Sequence, residues 1–129
     1  MAHKPLTLQG YLVDYDKYDR AKLMFLDDYD CEKNNTSFTK RYLLSKSKMI
    51  EGNNPIIDDK YFLINCKKNS IGLLPDDASN NLIKRVPIEM LKQHTVECSV
   101  YLKAYKFVKN GVVIKGWNLK LVSMKLIEY

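Results

Sequence analysis

Tyr101, Tyr105 and Phe107 alternate with Lys103 along one stretch of the chain. Rings two residues apart with positive charge between them can stack unpaired bases while holding their phosphates. The stretch reads Val96-Glu-Cys-Ser-Val-Tyr-Leu-Lys-Ala-Tyr-Lys-Phe107. A strand of period two puts Val96, Cys98, Val100, Leu102 and Ala104 on an ordinary core face, and Tyr101, Lys103, Tyr105 and Phe107 on the other. Stacking on a ring contributes roughly 1–3 kcal/mol per base and tolerates any base. The competing reading is that these rings pack under a loop or against another protomer, where Tyr is also favoured.

Charge points the same way. Residues 1–64 hold 10 basic and 10 acidic side chains, so the net +6 lies wholly in residues 65–129, the half with the aromatic-basic stretch. Lys103, Lys106, Lys109, Lys115 and Lys120 are candidate phosphate contacts, against the alternative of a solvated surface. A second basic segment, Lys33 to Lys48, has five basic residues and no acidic one; Lys40 and Arg41 stand there beside Tyr42. It is read either as a clamp on a bound strand or as a mobile polar loop. Trp117 shares a face with Leu119 and Leu121 and is assigned to the core, while Tyr11 and Tyr15 either extend the aromatic surface or pack at the core edge.

Other chemistries have less support. Asp14, Asp16, Asp19, Asp27, Asp28 and Asp30 raise the idea of a Mg²⁺-dependent nuclease. They fall at a turn and a strand end, which makes turn-forming aspartates the better reading. Cys31, Cys66 and Cys98 are widely spaced and, with only His3 and His94 beside them, suggest neither a disulfide framework nor a zinc site. No Ser/His/Asp arrangement or glycine-rich phosphate loop stands out, so neither an enzyme, a cofactor, a metal nor a small-molecule substrate is expected. The N-terminal Met-Ala-His-Lys-Pro lacks an apolar signal region, and no apolar run nears the ~20 residues that span a bilayer. The expectation is an intracellular protein, in cytoplasm or host nucleus, not secreted and with no membrane partner.

The elements that must position these residues are mostly strands. Leu6–Asp16 alternates, and Ala21–Asp27 returns as its hairpin partner across a polar turn. Gly10 suggests a bulge or sharp bend. Asp27–Ser37 reads as loop, Phe38–Leu44 as a third strand, Ser45–Lys60 as the likeliest flexible excursion, Tyr61–Cys66 as a short strand and Gly72–Asn81 as loop. Pro87–His94 looks like one or two helical turns. Val96–Val108 and Val112–Ile127 join at Asn110-Gly111, a strong hairpin signal. In the last strand the apolar phase shifts from Trp117, Leu119 and Leu121 to Val122, Met124 and Leu126, which implies a bulge or burial on both faces. Five or six strands with one short helix describe an all-β fold, a single-domain Greek-key barrel over residues 1–129. The OB-fold is the commonest such barrel that binds oligonucleotides, and a β-sandwich is the rival.

Val100–Phe107, Gly111 and Gly116-Trp-Asn-Leu-Lys-Leu121 resemble the closing hairpin of OB-fold single-stranded DNA-binding proteins of bacteriophages and large double-stranded DNA viruses. The resemblance implies sequence-tolerant binding of single-stranded DNA in replication, recombination or repair. An RNA-binding OB module is a weaker option, and because one OB domain covers only about 4–16 nucleotides, self-association into a homo-oligomer is expected. It departs from bacterial members in ending Lys-Leu-Ile-Glu-Tyr rather than in an acidic, glycine-rich tail. The expected binding residues are Tyr101, Lys103, Tyr105, Phe107 and Lys120, with Lys40, Arg41 and Tyr42. The alternative is a non-enzymatic protein-interaction module, a viral structural or host-binding subunit.

Overall fold

Period-two alternation builds most of this protein. The computed structural model describes residues 5–26, 37–66, 71–75 and 83–127. In chain order the elements are β1 (Leu6–Tyr15), β2 (Arg20–Met24), helix α1 (Ser37–Met49), β3 (Ile56–Ile57), β4 (Tyr61–Asn65), β5 (Ile71–Pro75) and β6 (Ile83–Pro87). A 3₁₀ turn at Ile88–Leu91 then leads to the long strands β7 (His94–Lys109) and β8 (Val112–Leu126).

Five strands close on one another. β1 pairs with β2, β2 with β4, β1 with β7 and β7 with β8, all antiparallel. The ring shuts where β4 meets β8 in parallel at Asn65 and Lys120. This closed five-stranded ring with one short helix is a small OB-like barrel. Alternate residues of each strand fill it: Leu8 and Leu12, Ala21 and Leu23, Phe62 and Ile64, Val96, Cys98 and Val100, Trp117 and Leu119 are all fully buried. β3 lies along β4, and the β5–β6 hairpin adds to β8 outside the ring.

Two bulges set the phase of the faces. In β1 the register shifts between Leu12 and Asp14. In β8, Ser123 faces Ser99 but Leu121 faces Val100, so Val122 is the extra residue and stands 56% exposed. This moves the buried set from Trp117 and Leu119 to Met124 and Leu126, the shift visible in the sequence. Trp117 is wholly buried, and its indole N–H finds no acceptor among the described residues, a desolvation cost of about 1–3 kcal/mol.

Several expectations are corrected. Phe38–Leu44 is not a strand but part of α1. Its buried residues, Thr39 and Leu43, are four apart, and Ile50 continues the stripe against the core. Thr39 Oγ1 accepts a hydrogen bond from the Gln9 amide of β1 at 3.2 Å, which docks the helix. The Ser45–Lys60 segment holds the rest of that helix and β3. Ile71–Pro75 is strand, not loop, and pairs with β6 and β8. Gly10 marks no bulge: its pairing to Val96 is regular, and a Cβ there would lie 3.0 Å from the Phe62 ring, so the glycine makes room for a core aromatic. The loop expected at residues 27–36, like Cys31 and His3, lies outside the described residues.

Candidate nucleic-acid interface

The turn between β1 and β2 is built around one carboxylate. Asp16 Oδ1 accepts the amides of Tyr18 and Arg20, both at 2.9 Å, and Oδ2 accepts Arg20 Nε at 2.6 Å. Asp19 takes a left-handed φ of 60°, and its carbonyl accepts the Cys66 amide, tying the turn to the end of β4. Partial burial would raise the Asp16 carboxyl, but the Arg20 and Tyr18 amides and the guanidinium outweigh it and hold it below the usual range. Arg20 thereby stands oriented at the start of β2.

On the other side, the β7–β8 hairpin extends well beyond its contact with β1, which ends at Val100. Asn110 (φ 53°) and Gly111 (φ 79°) turn it tightly, as the Asn-Gly pair requires. Its flank is stitched to the segment before β3. The Asn53 amide donates to the Lys115 carbonyl at 2.9 Å, and the Trp117 amide donates to the Asn53 carbonyl at 3.0 Å. Only glycine permits this approach: a Cβ on Gly116 would sit 2.4 Å from the Asn53 carbonyl oxygen and 2.7 Å from the Tyr105 hydroxyl.

Between turn and hairpin lies a cleft of about 410 Å³, lined by Arg20, Asn53, Asn65, Tyr105, Phe107, Ile114 and Asn118. The strand register explains the grouping. Arg20 faces Asn65 across β2–β4, Asn65 faces Lys120 across β4–β8, and Lys120 faces Tyr101 across β8–β7. One row up the hairpin, Lys103 faces Asn118, Tyr105 faces Gly116, and Phe107 faces Ile114. The Tyr105 and Phe107 rings stack, with centroids 6.0 Å apart and planes at 28°. Phe107 is 49% exposed.

Of the residues expected from the sequence, Tyr101, Lys103, Tyr105, Phe107 and Lys120 share this surface, and Tyr105 and Phe107 line the cleft itself. Among the described residues, Lys103, Lys106, Lys109 and Lys120 have no acidic partner, whereas Lys115 is paired with Glu51. Lys40, Arg41 and Tyr42 are not in the cleft lining but ride on α1. There Tyr42 packs beside Phe38 and under Lys46, and Lys40 lies over the Phe25 ring. Tyr15 is a half-buried core-edge residue, its hydroxyl donating to the Ile88 carbonyl at 2.7 Å, and Tyr11 bonds Gln93.

Sequence reading missed Arg20, Asn53, Asn65 and Asn118. Alternation could have found the first, since buried Ala21 and Leu23 turn Arg20 and Lys22 outward. Lys22 extends the surface, lying 4.2 Å from the Tyr61 ring centroid. At the turn, Tyr18 is 65% exposed, with Lys17 and Arg20 over its ring. Cys66, next to Asn65, offers no nucleophile near neutral pH, because burial pushes its thiol up to about 11. Among the described residues, no group of three or more His, Cys, Asp or Glu is placed to hold a metal ion, and no helix is long and apolar enough to cross a membrane.

No protein-family model matches the sequence, and no solved structure matches it. A stretch of 71 residues is 32% identical to a bifunctional purine biosynthesis protein, PurH, of Wigglesworthia glossinidia brevipalpis. That stretch is 50% of this chain but only 13% of the relative, so the chain spans a small part of that protein's length.

Proposed function

We propose that this protein is a non-enzymatic binder of single-stranded nucleic acid, DNA before RNA, acting where strands are unpaired in replication, recombination or repair. The observation that carries the reading is the cleft between the β1–β2 turn and the β7–β8 hairpin, with stacked Tyr105 and Phe107 beside Arg20. In OB-folds the face of the second and third barrel strands, with the loops joining strands one to two and four to five, takes oligonucleotides. Here those are β2, β4, the Asp16–Asp19 turn and the Asn110-Gly111 tip. Bases stack on Phe107, Tyr105 and Tyr18. Lys103 and Lys120, which form no ion pair among the described residues, neutralise phosphates, and Lys40, Arg41 and Tyr42 on α1 form at most a secondary contact.

Fluorescence anisotropy with labelled oligo-dT, oligo-U and duplex DNA across a salt series tests this. Oligo-dT binds most tightly, and its affinity falls with salt with a slope of about −0.7 per phosphate contact. Absence of binding to every probe at low salt removes the reading, and equal binding to duplex leaves charge without stacking.

A second reading has its own observation. Val108, Val112 and Val113 at the hairpin tip are 67%, 61% and 52% exposed, a feature that favours a protein contact, either a second copy or another partner. Sedimentation of the free protein distinguishes self-association from a monomer.

A further inference from the structure

We propose that the outer edge of β7 joins a second copy of this chain, strand to strand and antiparallel, about a two-fold axis at Tyr105. The inference deepens the second reading above, rests on its second-copy form, and requires no nucleic acid. Among the described residues, β1 accompanies β7 only as far as Val100, opposite Leu6, and from Leu102 to Val108 β7 pairs with β8 alone. The other edge of β7 there presents backbone N–H and C=O groups with no described strand beside them. Pro5, next to Leu6, has no amide N–H with which to lengthen the β1 ladder. An edge of this kind is a template for another strand.

The residues of that edge fit themselves in one register. With the axis at Tyr105, Lys103 of each copy faces Phe107 of the other, Leu102 faces Val108, Ala104 faces Lys106, and Tyr105 faces Tyr105. Rings meet lysine or ring, the two larger aliphatic side chains meet each other, and no lysine meets a lysine. Val108, 67% exposed in the single chain, gains the half-buried Leu102 as its neighbour. An axis normal to the sheet keeps Tyr105 and Phe107 of both copies on the same side. The joint is self-complementary and closes on itself, so it yields a dimer and not a fibre.

Neighbouring registers fail on the same residues. Moving the axis to Lys103 or to Lys106 sets that lysine against its own copy, and like charges directly opposite are destabilising. At Ala104 the axis sets Val108 opposite Val100, whose edge β1 already occupies. An axis lying in the sheet turns one copy over. Between Ala104 and Tyr105 it then sets Lys103 against Lys106, and between Tyr105 and Lys106 it sets both Leu102 and Val108 against lysines. Lysine on an exposed edge ordinarily discourages pairing. Here Lys103 and Lys106 discourage the shifted registers and spare the one centred on Tyr105.

The test is made on the full chain without nucleic acid. Sedimentation velocity over a wide concentration range shows a reversible monomer–dimer equilibrium. Tyr105→Cys crosslinks to itself under mild oxidation, since directly opposed residues stand about 4.5–5.5 Å apart at Cα, within reach of a disulfide. Lys103→Cys and Phe107→Cys each crosslink poorly alone and efficiently when mixed, with the parent chain as the control for Cys31, Cys66 and Cys98. Val108→Asp, checked for an unchanged melting temperature, raises the dimer Kd by about tenfold or more, because the change enters the interface twice. A dimer in which Tyr105→Cys does not crosslink, in which Lys103→Cys alone crosslinks as well as the mixture, or which Val108→Asp leaves unchanged overturns the joint at β7. A monomer at every concentration overturns it together with the second-copy reading. Neither result bears on nucleic-acid binding, which the oligo-dT titration decides separately.

Discussion

Two segments of this chain mix aromatic rings with lysine and arginine, and the fold treats them in opposite ways. On β7, Tyr101, Lys103, Tyr105 and Phe107 recur every second residue and share one face beside a cleft. On α1, Lys40, Arg41 and Tyr42 are consecutive and so spread around the helix by about 100° per residue. On the helix Tyr42 packs against Phe38 and Lys46, while Lys40 lies over Phe25, which follows β2 and stacks on Phe62 at 4.9 Å. Phe107 of β7 and Phe38 of α1 are equally open to solvent, 49% and 47% exposed, but Phe107 lines the cleft and Phe38 does not. Both sets mix rings with cations, and periodicity decides which becomes a single face.

The comparison is broken most forcefully by removing its rings. Tyr105→Ala with Phe107→Ala is expected to weaken oligo-dT binding by roughly a hundredfold or more, from about 1–3 kcal/mol per stacked base, with little change in thermal stability. Tyr42→Ala in the same assay changes binding less than about twofold. Equal losses from both would mean that the helix, not the hairpin, carries the strand.

Next in size is the hinge of the site. Gly116→Ala forces a Cβ to within 2.4 Å of the Asn53 carbonyl, so the segment before β3 or the hairpin must move. Overpacking of this kind costs about 1–3 kcal/mol, readable in denaturant melts, and oligo-dT affinity should fall with it because the Tyr105 hydroxyl is displaced as well.

Charge gives a smaller and more diagnostic effect. Lys103→Gln with Lys120→Gln should flatten the salt dependence of oligo-dT binding by about 1.4 in slope, about 0.7 for each lost phosphate contact. Lys40→Gln with Arg41→Gln should leave the slope unchanged. A reversed result would assign the phosphates to α1.

The smallest effect concerns the β1–β2 turn. The folded state holds the Asp16 carboxyl below its unfolded value, so its contribution is present above the unfolded pKa and is lost as pH falls through the folded one. Asp16→Asn removes that linkage, and the variant's stability should fall less steeply than the parent's below about pH 4. Parallel acid profiles for the two proteins would show that Asp16 does not set them.

How much was legible beforehand differs between these regions for a physical reason. In a strand, side-chain direction follows from position alone, so the inward-facing Val96, Cys98 and Val100 of β7, the burial of Trp117 and the phase shift at Val122 could all be read from alternation; Leu102 and Ala104, expected on the same core face, lie beyond the contact with β1 and are half-buried and exposed. In α1 the buried stripe is only Thr39 and Leu43, with Phe38, Leu44 and Met49 left exposed, and so weak a period does not announce a helix. β5 and β6 are five residues each and gain their place by pairing with β8, a partner far along the chain.

By itself, then, the sequence determined the hairpin at Asn110-Gly111, the two faces of β7 and the confinement of net charge to its half, because these depend on local geometry and counting. Tertiary structure alone decided what stands opposite the aromatic face. Closure of the ring at Asn65 and Lys120 brings β2 and β4 under the hairpin, and the glycine contact with Asn53 sets their distance. Arg20, Asn53, Asn65 and Asn118 become neighbours of Tyr105 only through that long-range register, which alternation leaves undetermined.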